Sequence, residues 1–369
     1  GRRLSDRGLA GAPPAWVWAG GGAGAADAGA GGGRATAVLG AGPRGPVTAD
    51  LAADGPHLLV EGPAGSGRTE LLRAVVASLA AAERPDRLGI VLVDGRSGSG
   101  EGLRVCTDVP HVSTHLSADD PVRMREFAQS LSAELKRRAE LLGRSDFAEW
   151  HTGRELADRI VAQRTASSGG NGDLDSPPSA TVRLRPGADR RKTQAAPALP
   201  RLVVVVDDLD QLVSPALGAP GRPAAGSVMR ALEAVARDGE RLGVHLVAAT
   251  APCPRTAQTE PVKQASLRVV LDAVVVGRGP EDPAPGRGRL VLPDGRGTEF
   301  QGGRVTGRIP RTATLRPTVV PLEWHRMGDP PARRQVRELG NGPTDLALLA
   351  SALDRAARQV ASPRVPSLL

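Results

Sequence analysis

Tyrosine is missing from this 369-residue sequence, and it has only three Phe and four Trp. With so few aromatics, Leu, Val and Ala must fill any core. Lysine is nearly missing too: Lys136, Lys192 and Lys263 are the only lysines among 48 basic residues. This arginine bias reads as the mark of a GC-rich genome rather than of a function. Two cysteines, Cys106 and Cys253, cannot build a disulfide scaffold or a four-ligand structural zinc site. The six histidines are scattered. His111 and His115 form the one close pair, and no carboxylate or cysteine is spaced around them to complete a metal set. No apolar run approaches the ~20 residues needed to span a bilayer. A first residue of Gly1 rather than Met reads as a piece of a longer chain, with membrane segments or further domains allowed upstream.

Glycine and proline, 46 and 32 residues, are abundant instead. A folded core cannot absorb that much of either, so the excess should gather in linkers; the lack of a Gly-X-Y period excludes collagen. An apolar fraction of 40% supports a real core, and the length allows roughly two domains of ~100–200 residues each. Residues 1–45 read as a Gly/Ala-rich flexible linker. Residues 164–200 lack periodicity and read as a disordered insertion within a domain. Elsewhere short β-branched runs alternate with helical repeats. Strands are expected at His57–Val60, Gly89–Val93, Leu202–Val206, Val244–Ala248 and Leu267–Leu271. Helices are expected at Thr69–Ala82, from Asp119-Asp120-Pro121 onward, and at Ser227–Arg241. The runs Val203–Val206 and Val269–Leu271 are continuously apolar, as strands buried on both faces should be. This succession predicts an α/β domain with a mostly parallel sheet flanked by helices.

The strongest motif is Gly62-Pro63-Ala64-Gly65-Ser66-Gly67-Arg68-Thr69, set between a strand and a helix. It is G-x-x-x-x-G-K-[ST] with Arg68 in the lysine position. The glycines let successive N–H groups curl into a cup that, with the helix N-terminus, can hold a β-phosphate. The Thr69 hydroxyl is placed to ligate Mg²⁺. A dinucleotide-type G-x-G-x-x-G would need glycine where Glu70 stands. A second acidic strand end follows at Val203-Val204-Val205-Val206-Asp207-Asp208. Asp207 would hold the Mg²⁺ together with Thr69, and Asp208 would polarise the attacking water. The strand through Val247 ends at Thr250, whose hydroxyl could sense a γ-phosphate. His245, in mid-strand, reads as a core residue.

At this point the sequence resembles the FtsK/SpoIIIE family of P-loop ATPases, which includes DNA translocases and type VII secretion motors. Beyond the loop, Val109-Pro110-His111-Val112 is similar to the family's "LPHL" element. Ala133-Glu134-Leu135-Lys136-Arg137-Arg138 is similar to its "EMxRR" helix. Val235–Leu246, with Ala249-Thr250, resembles "ARxGRxxGIHLxxATQRP". Pro285–Leu290 looks like the closing Gly-rich turn. The resemblance covers about 46–309 and implies a RecA-like P-loop NTPase fold, with ATP and Mg²⁺ as cofactors. Three departures matter: Arg68 for Lys, Asp208 for Glu, and Ala251-Pro252 for Gln-Arg. A planar guanidinium does not substitute for a compact ammonium, so the three together imply weak or absent hydrolysis.

The resemblance further implies a secreted protein or DNA as substrate, an upstream ATPase module, and a ring-type homo-oligomer. It also implies a place on the cytoplasmic face of a parent that could be membrane-anchored. Two readings follow: a degenerate nucleotide-binding module that regulates or scaffolds an active one, or an active ATP-driven DNA translocase. Residues 310–369 read as a basic extension ending in a helix at Thr344–Arg358, with Leu346, Leu349 and Leu353 on one face. The arginine-rich stretch from Arg287 to Arg337 could neutralise nucleic-acid phosphates. Its near-lack of aromatic stacking residues favours a solvated surface or a contact with an acidic neighbour.

Overall fold

The computed structural model describes residues 34–96, 101–154, 199–213, 223–274, 284–312, 324–328 and 338–369. Most of the expected insertion lies outside these. Ten strands form one sheet in the order β2-β1-β10-β9-β8-β3-β7-β6-β4-β5. The parallel half comprises β3 (His57–Glu61), β4 (Leu88–Asp94), β5 (Val112–Ser117), β6 (Arg201–Asp207), β7 (Val244–Thr250) and β8 (Leu267–Leu271). The antiparallel half comprises β1 (Thr36–Gly42), β2 (Gly45–Asp50), β9 (Arg287–Val291) and β10 (Gly297–Gly302). A separate pair joins β11 (Arg308–Thr312) to β12 (Glu338–Thr344).

Strand residues alternate between two cores. On one face Ile90, Leu92, Val203 and Val205 meet α1 (Arg68–Ala82), whose Leu72, Val75, Val76 and Leu79 are fully buried. Burying each of these side chains stabilises by roughly 1.5–3 kcal/mol. On the other face Val91, Val93, Val204 and Val206 meet α2 (Pro121–Leu142) and α3 (Pro223–Leu242). Phe127 and Leu131 of α2 and Val228 and Leu232 of α3 fill that layer. Helix α2 starts where Asp120 accepts from the N–H groups of Val122 and Arg123 at 2.9 and 3.2 Å, with Pro121 in the first turn, the arrangement that satisfies orphan donors at a helix start. It stops at Gly143, in the left-handed region at φ 58. The last helix, α4 (Asp345–Gln359), is capped by Thr344, which accepts from Ala347 N–H at 3.1 Å. Its Leu346 and Leu349 join the core beside α1.

Two expectations need correction. The linker does not run to residue 45: β1 lies within that span, and Ala35, Ala37 and Leu39 are buried under α1. A Gly/Ala-rich run can serve as a strand where a helix covers one face closely. Strand β8 is not buried on both faces, because Val270 is 47% exposed. The antiparallel extension begins next to it, at β9, and no helix among the described residues covers that side of Val270.

Candidate functional site

The carboxyl ends of β3, β7, β6 and β4 lie side by side. Glu61 is in register with Thr250, and Asp94 with Asp207. Ligands of parallel α/β sheets gather at this edge. The loop leaving β3 starts with Gly62, whose N–H donates to the Thr250 carbonyl at 3.3 Å. Pro63 and Ala64 form its outer arc, and the Pro63 carbonyl accepts from Ser66 N–H at 3.3 Å. Gly65 and Gly67 have φ values of 81 and 97, which turn the backbone so that its N–H groups can converge. Gly67 is needed twice over, since a Cβ there would also sit 3.0 Å from the Gly286 nitrogen. Gly286 N–H donates to the Ser66 carbonyl at 2.7 Å, so the turn before β9 braces the loop. The Ser66 hydroxyl is buried and has no hydrogen-bond partner among the described residues.

Thr69, in the first turn of α1, donates its hydroxyl to Asp207 at 2.6 Å. Asp207 ends β6 and is 4% exposed, and burial pushes its carboxyl up to about 6 against the opposing Thr69 hydrogen bond. A hydroxyl and a carboxylate beside a convergent N–H cup are the oxygen donors a hydrated Mg²⁺ takes near phosphates. The loop, the orphaned Ser66 hydroxyl and the Thr69–Asp207 pair therefore fit a magnesium nucleotide.

Arg68 does not point freely into the cup. Its guanidinium donates to the carbonyl of Gly62, within the loop itself, and to Asp208 Oδ1 at 2.9 Å. The two side chains are 10% and 15% exposed. Arg96 holds the other Asp208 oxygen at 3.2 Å. Asp208 has φ 50, uncommon outside glycine but tolerated by Asp and Asn. Gly95 permits this arrangement, because a Cβ there would collide with the Asp207 and Asp208 carbonyls. Its N–H donates to the Asp207 carbonyl at 2.9 Å, drawing the start of the next loop, and Arg96 with it, against Asp208.

Thr250 stands beside the loop, but its hydroxyl donates to the Ala251 carbonyl at 2.9 Å and lies 3.4 Å from Asp210. It contributes its backbone carbonyl to Gly62 rather than an oxygen directed at the cup. Asp210 also accepts from Ala251 N–H at 3.0 Å. A polar cleft of 1140 Å³ runs from Arg68 and Thr69 past Asp94 to His115. Asp94 accepts from His115 at 2.8 Å and from Leu103 N–H at 2.9 Å. His111 instead meets the Glu83 carbonyl at 2.7 Å, so the two histidines hold separate partners. Among the described residues no cluster of His, Cys, Asp and Glu could hold a metal on its own. Asp94 ends a strand, Ile90–Asp94, that resembles the family's next strand ending in Asp, whereas Arg96 and Asp210 carried no local sequence signal: their partners, Asp208 for the first and Thr250 and Ala251 for the second, are far away in sequence.

The sequence profile of the FtsK/SpoIIIE family matches residues 33–258, which take in the loop, both acids and Thr250. The chain belongs to the FtsK/SpoIIIE family. Its curated relatives include the ESX-5 secretion system protein EccC5 of Mycobacterium tuberculosis, 27% identical over 250 residues, 67% of this chain and 15% of the relative. The ESX-4 protein EccC4 of the same organism is 30% identical over 200 residues, 53% of this chain and 12% of the relative. The type VII secretion system protein EssC of Staphylococcus aureus is 27% identical over 199 residues, 54% of this chain and 10% of the relative. This FtsK/SpoIIIE chain thus spans well under a fifth of each relative's length. In fold it is similar to the cytoplasmic domain of the type VII secretion ATPase EccC of Thermomonospora curvata, with a TM-score of 0.54 at 20% identity. That match covers 90% of this chain and 32% of the other. ATPases 2 and 3 of the same EccC, in complex with a signal sequence peptide, match with a TM-score of 0.52 at 17% identity, over 91% of this chain and 49% of the other. The mostly parallel sheet flanked by helices is the P-loop ATPase fold of this family.

Proposed function

We propose that this FtsK/SpoIIIE domain is a nucleotide-binding module of a protein-secretion motor that holds ATP–Mg²⁺ and turns it over slowly. The observation that carries the reading is the Arg68–Asp208 ion pair. One guanidinium cannot fully serve a carboxylate, a loop carbonyl and a phosphate at once. Asp208, held by two arginines, is poorly placed to take a proton from water, and it is one methylene shorter than Glu. Thr69 and Asp207 would hold Mg²⁺, which supplies neutralisation of charge on the phosphates. The loop N–H groups of Gly65–Thr69 would orient the β-phosphate. Thr250, turned toward Asp210, would position the loop through its carbonyl.

A secreted protein is favoured over DNA as substrate because the relatives are named for secretion systems. Several arginines in the basic stretch also face acids: Arg287 lies 3.9 Å from both Asp272 and Glu299, and Arg296 pairs with Asp294. Similarity to a cytoplasmic domain in Thermomonospora supports a place on the cytoplasmic side, and ATPases 2 and 3 of that protein support work beside other ATPase modules; a ring of copies belongs to the same proposal. No helix among the described residues is long and apolar enough to cross a membrane.

ATP turnover tests this. The chain should hydrolyse ATP far below ~1 s⁻¹, a common enzyme scale, with or without DNA. Arg68→Lys with Asp208→Glu should raise the rate more than either change alone, since both groups act at one site. A rate near ~1 s⁻¹ in the unaltered chain would replace this reading with that of an active motor.

A further inference from the structure

Arg201 opens β6 at the end of the strands opposite the phosphate loop, and the residue is 6% exposed. Its guanidinium carbon stands 4.7 Å from the centroid of the Phe147 ring, a cation–π contact. Its Nη1 lies 2.6 Å from Nε2 of His245. The other His245 nitrogen, Nδ1, is 2.8 Å from the Pro56 carbonyl, which can only accept. The proton therefore sits on Nδ1, and Nε2 accepts from the arginine. The ring is neutral: burial first, and then the Arg201 charge, hold its pKa well below the usual imidazole range. Arg201 Nε, though buried, has no hydrogen-bond partner among the described residues.

The carboxylate that acts most on Arg201 is Asp50, and it is already engaged. Its Oδ2 accepts from the Thr36 hydroxyl at 2.6 Å, and its Oδ1 accepts from the N–H groups of Ala52 and Ala53 at 2.8 and 3.0 Å. A desolvated guanidinium with no ion-pair partner is costly in a folded interior. This one lines an open cleft of 810 Å³ whose apolar residues include Leu51, Ala52, Ala53, Phe147 and Ala148.

We propose that this cleft binds a small organic carboxylate, with Arg201 taking the anionic end and the exposed Ala52, Ala53 and Ala148 the apolar body. A guanidinium fork matches a carboxylate in two parallel hydrogen bonds. A monoanion suits the site better than a phosphate, because Asp50, Asp146 and Glu240 outnumber Arg34 and Arg241 around the cleft, which leaves Arg201 no surplus of positive charge for a higher anion. Arg201 and Asp207 stand at opposite ends of the seven-residue β6, roughly 20 Å apart at the usual strand rise. The site is therefore separate from the nucleotide loop and does not depend on the function proposed for it.

An NMR titration of the full chain with benzoate, and with its neutral analogue benzamide, tests the assignment. Benzoate should bind in the millimolar range and benzamide at least tenfold more weakly. Arg201→Gln should weaken benzoate at least tenfold, while Thr69→Ala should leave it unchanged. If Arg201→Gln does not fold, Ala148→Trp decides: residue 148 is exposed at the cleft wall, and an indole there should abolish benzoate binding. Equal affinity for the two probes, no binding of benzoate, or binding indifferent to these substitutions would overturn the proposal.

Discussion

Replacing Asp208 with Asn separates two roles that this carboxylate could play. Asn tolerates the left-handed backbone at φ 50 as Asp does, so the loop's path should persist. What disappears is the negative charge that holds Arg68 at 2.9 Å and Arg96 at 3.2 Å. Hydrogen bonds to charged groups are worth roughly 1.5–3 kcal/mol. Arg68 keeps its bond to the Gly62 carbonyl, so only part of that is freed. If about half is released to phosphate, nucleotide affinity should rise by about 0.75–1.5 kcal/mol, roughly three- to tenfold. The assay is calorimetric titration with a non-hydrolysable ATP analogue and Mg²⁺, the two proteins run side by side. Turnover should not rise, since no base has been added. Without nucleotide the variant should melt lower, because Arg68 is left buried with a weaker partner, and the analogue should recover most of that loss. An affinity that stays level or falls would show that Arg68 does not compete between Asp208 and phosphate. The reading of the Arg68–Asp208 pair as a competitor of phosphate would then fail.

Asp207→Asn should show a pH-dependent gain in stability. Burial raises the Asp207 pKa from 3.8 to about 6, so the folded state favours the protonated acid, and ionisation costs stability as pH rises from about 4 through 6. In metal-free urea titrations the variant should exceed the parent at pH 8 by up to ~2–3 kcal/mol, two units at 1.36 kcal/mol each. The Asn oxygen can keep the bond from Asp208 N–H while its amide N–H donates to the Thr69 hydroxyl; the gap should close toward pH 4, and a pH-independent difference would contradict the reasoning. Gly67→Ala should lower stability by about 1–2 kcal/mol, from the left-handed φ alone, and should weaken nucleotide binding because the loop must move off Gly286; an unchanged melting temperature would count against it. Arg138→Met should cost about 2–3 kcal/mol in a urea midpoint assay, because the carbonyls of Pro200 and Leu242 lose a donor that is 1% exposed while Glu134 keeps Arg137; a loss below ~1 kcal/mol would mean that water replaces it.

The parallel half of the sheet was legible because its strands advertise burial in composition. Val203–Val206 and Ile90–Val93 are apolar at every position, and both faces of each are covered. The helices announced themselves through spacing, as in Met124, Phe127, Leu131 and Leu135, all buried in the second core. The antiparallel half was harder to read. Strand β1 is Thr-Ala-Val-Leu-Gly-Ala-Gly, whose small residues suit close packing under α1 but look like linker in one dimension. A Cβ on Gly40 would strike the β10 backbone, so glycine there records a strand neighbour more than 250 residues away. Composition cannot show that.

The same limit separates the two halves of the candidate site. The phosphate loop was readable because its chemistry is local: Gly62 to Thr69 are contiguous, and their conformation follows from where the glycines stand. What Arg68 does was not readable, because its partners are set by the sheet. Asp208 lies 140 positions away and meets Arg68 only because β7 alone separates β3 from β6. Arg96 arrives from β4, the strand beyond β6. From sequence, arginine in the lysine position implies only a cation of the wrong shape. Once the strands are in order, it becomes a cation already engaged by an acid of the same site. Weak hydrolysis through a displaced phosphate and weak hydrolysis through an occupied arginine differ in one respect. Removing the acid should restore binding in the second case alone, which makes Asp208 the position where the two accounts part.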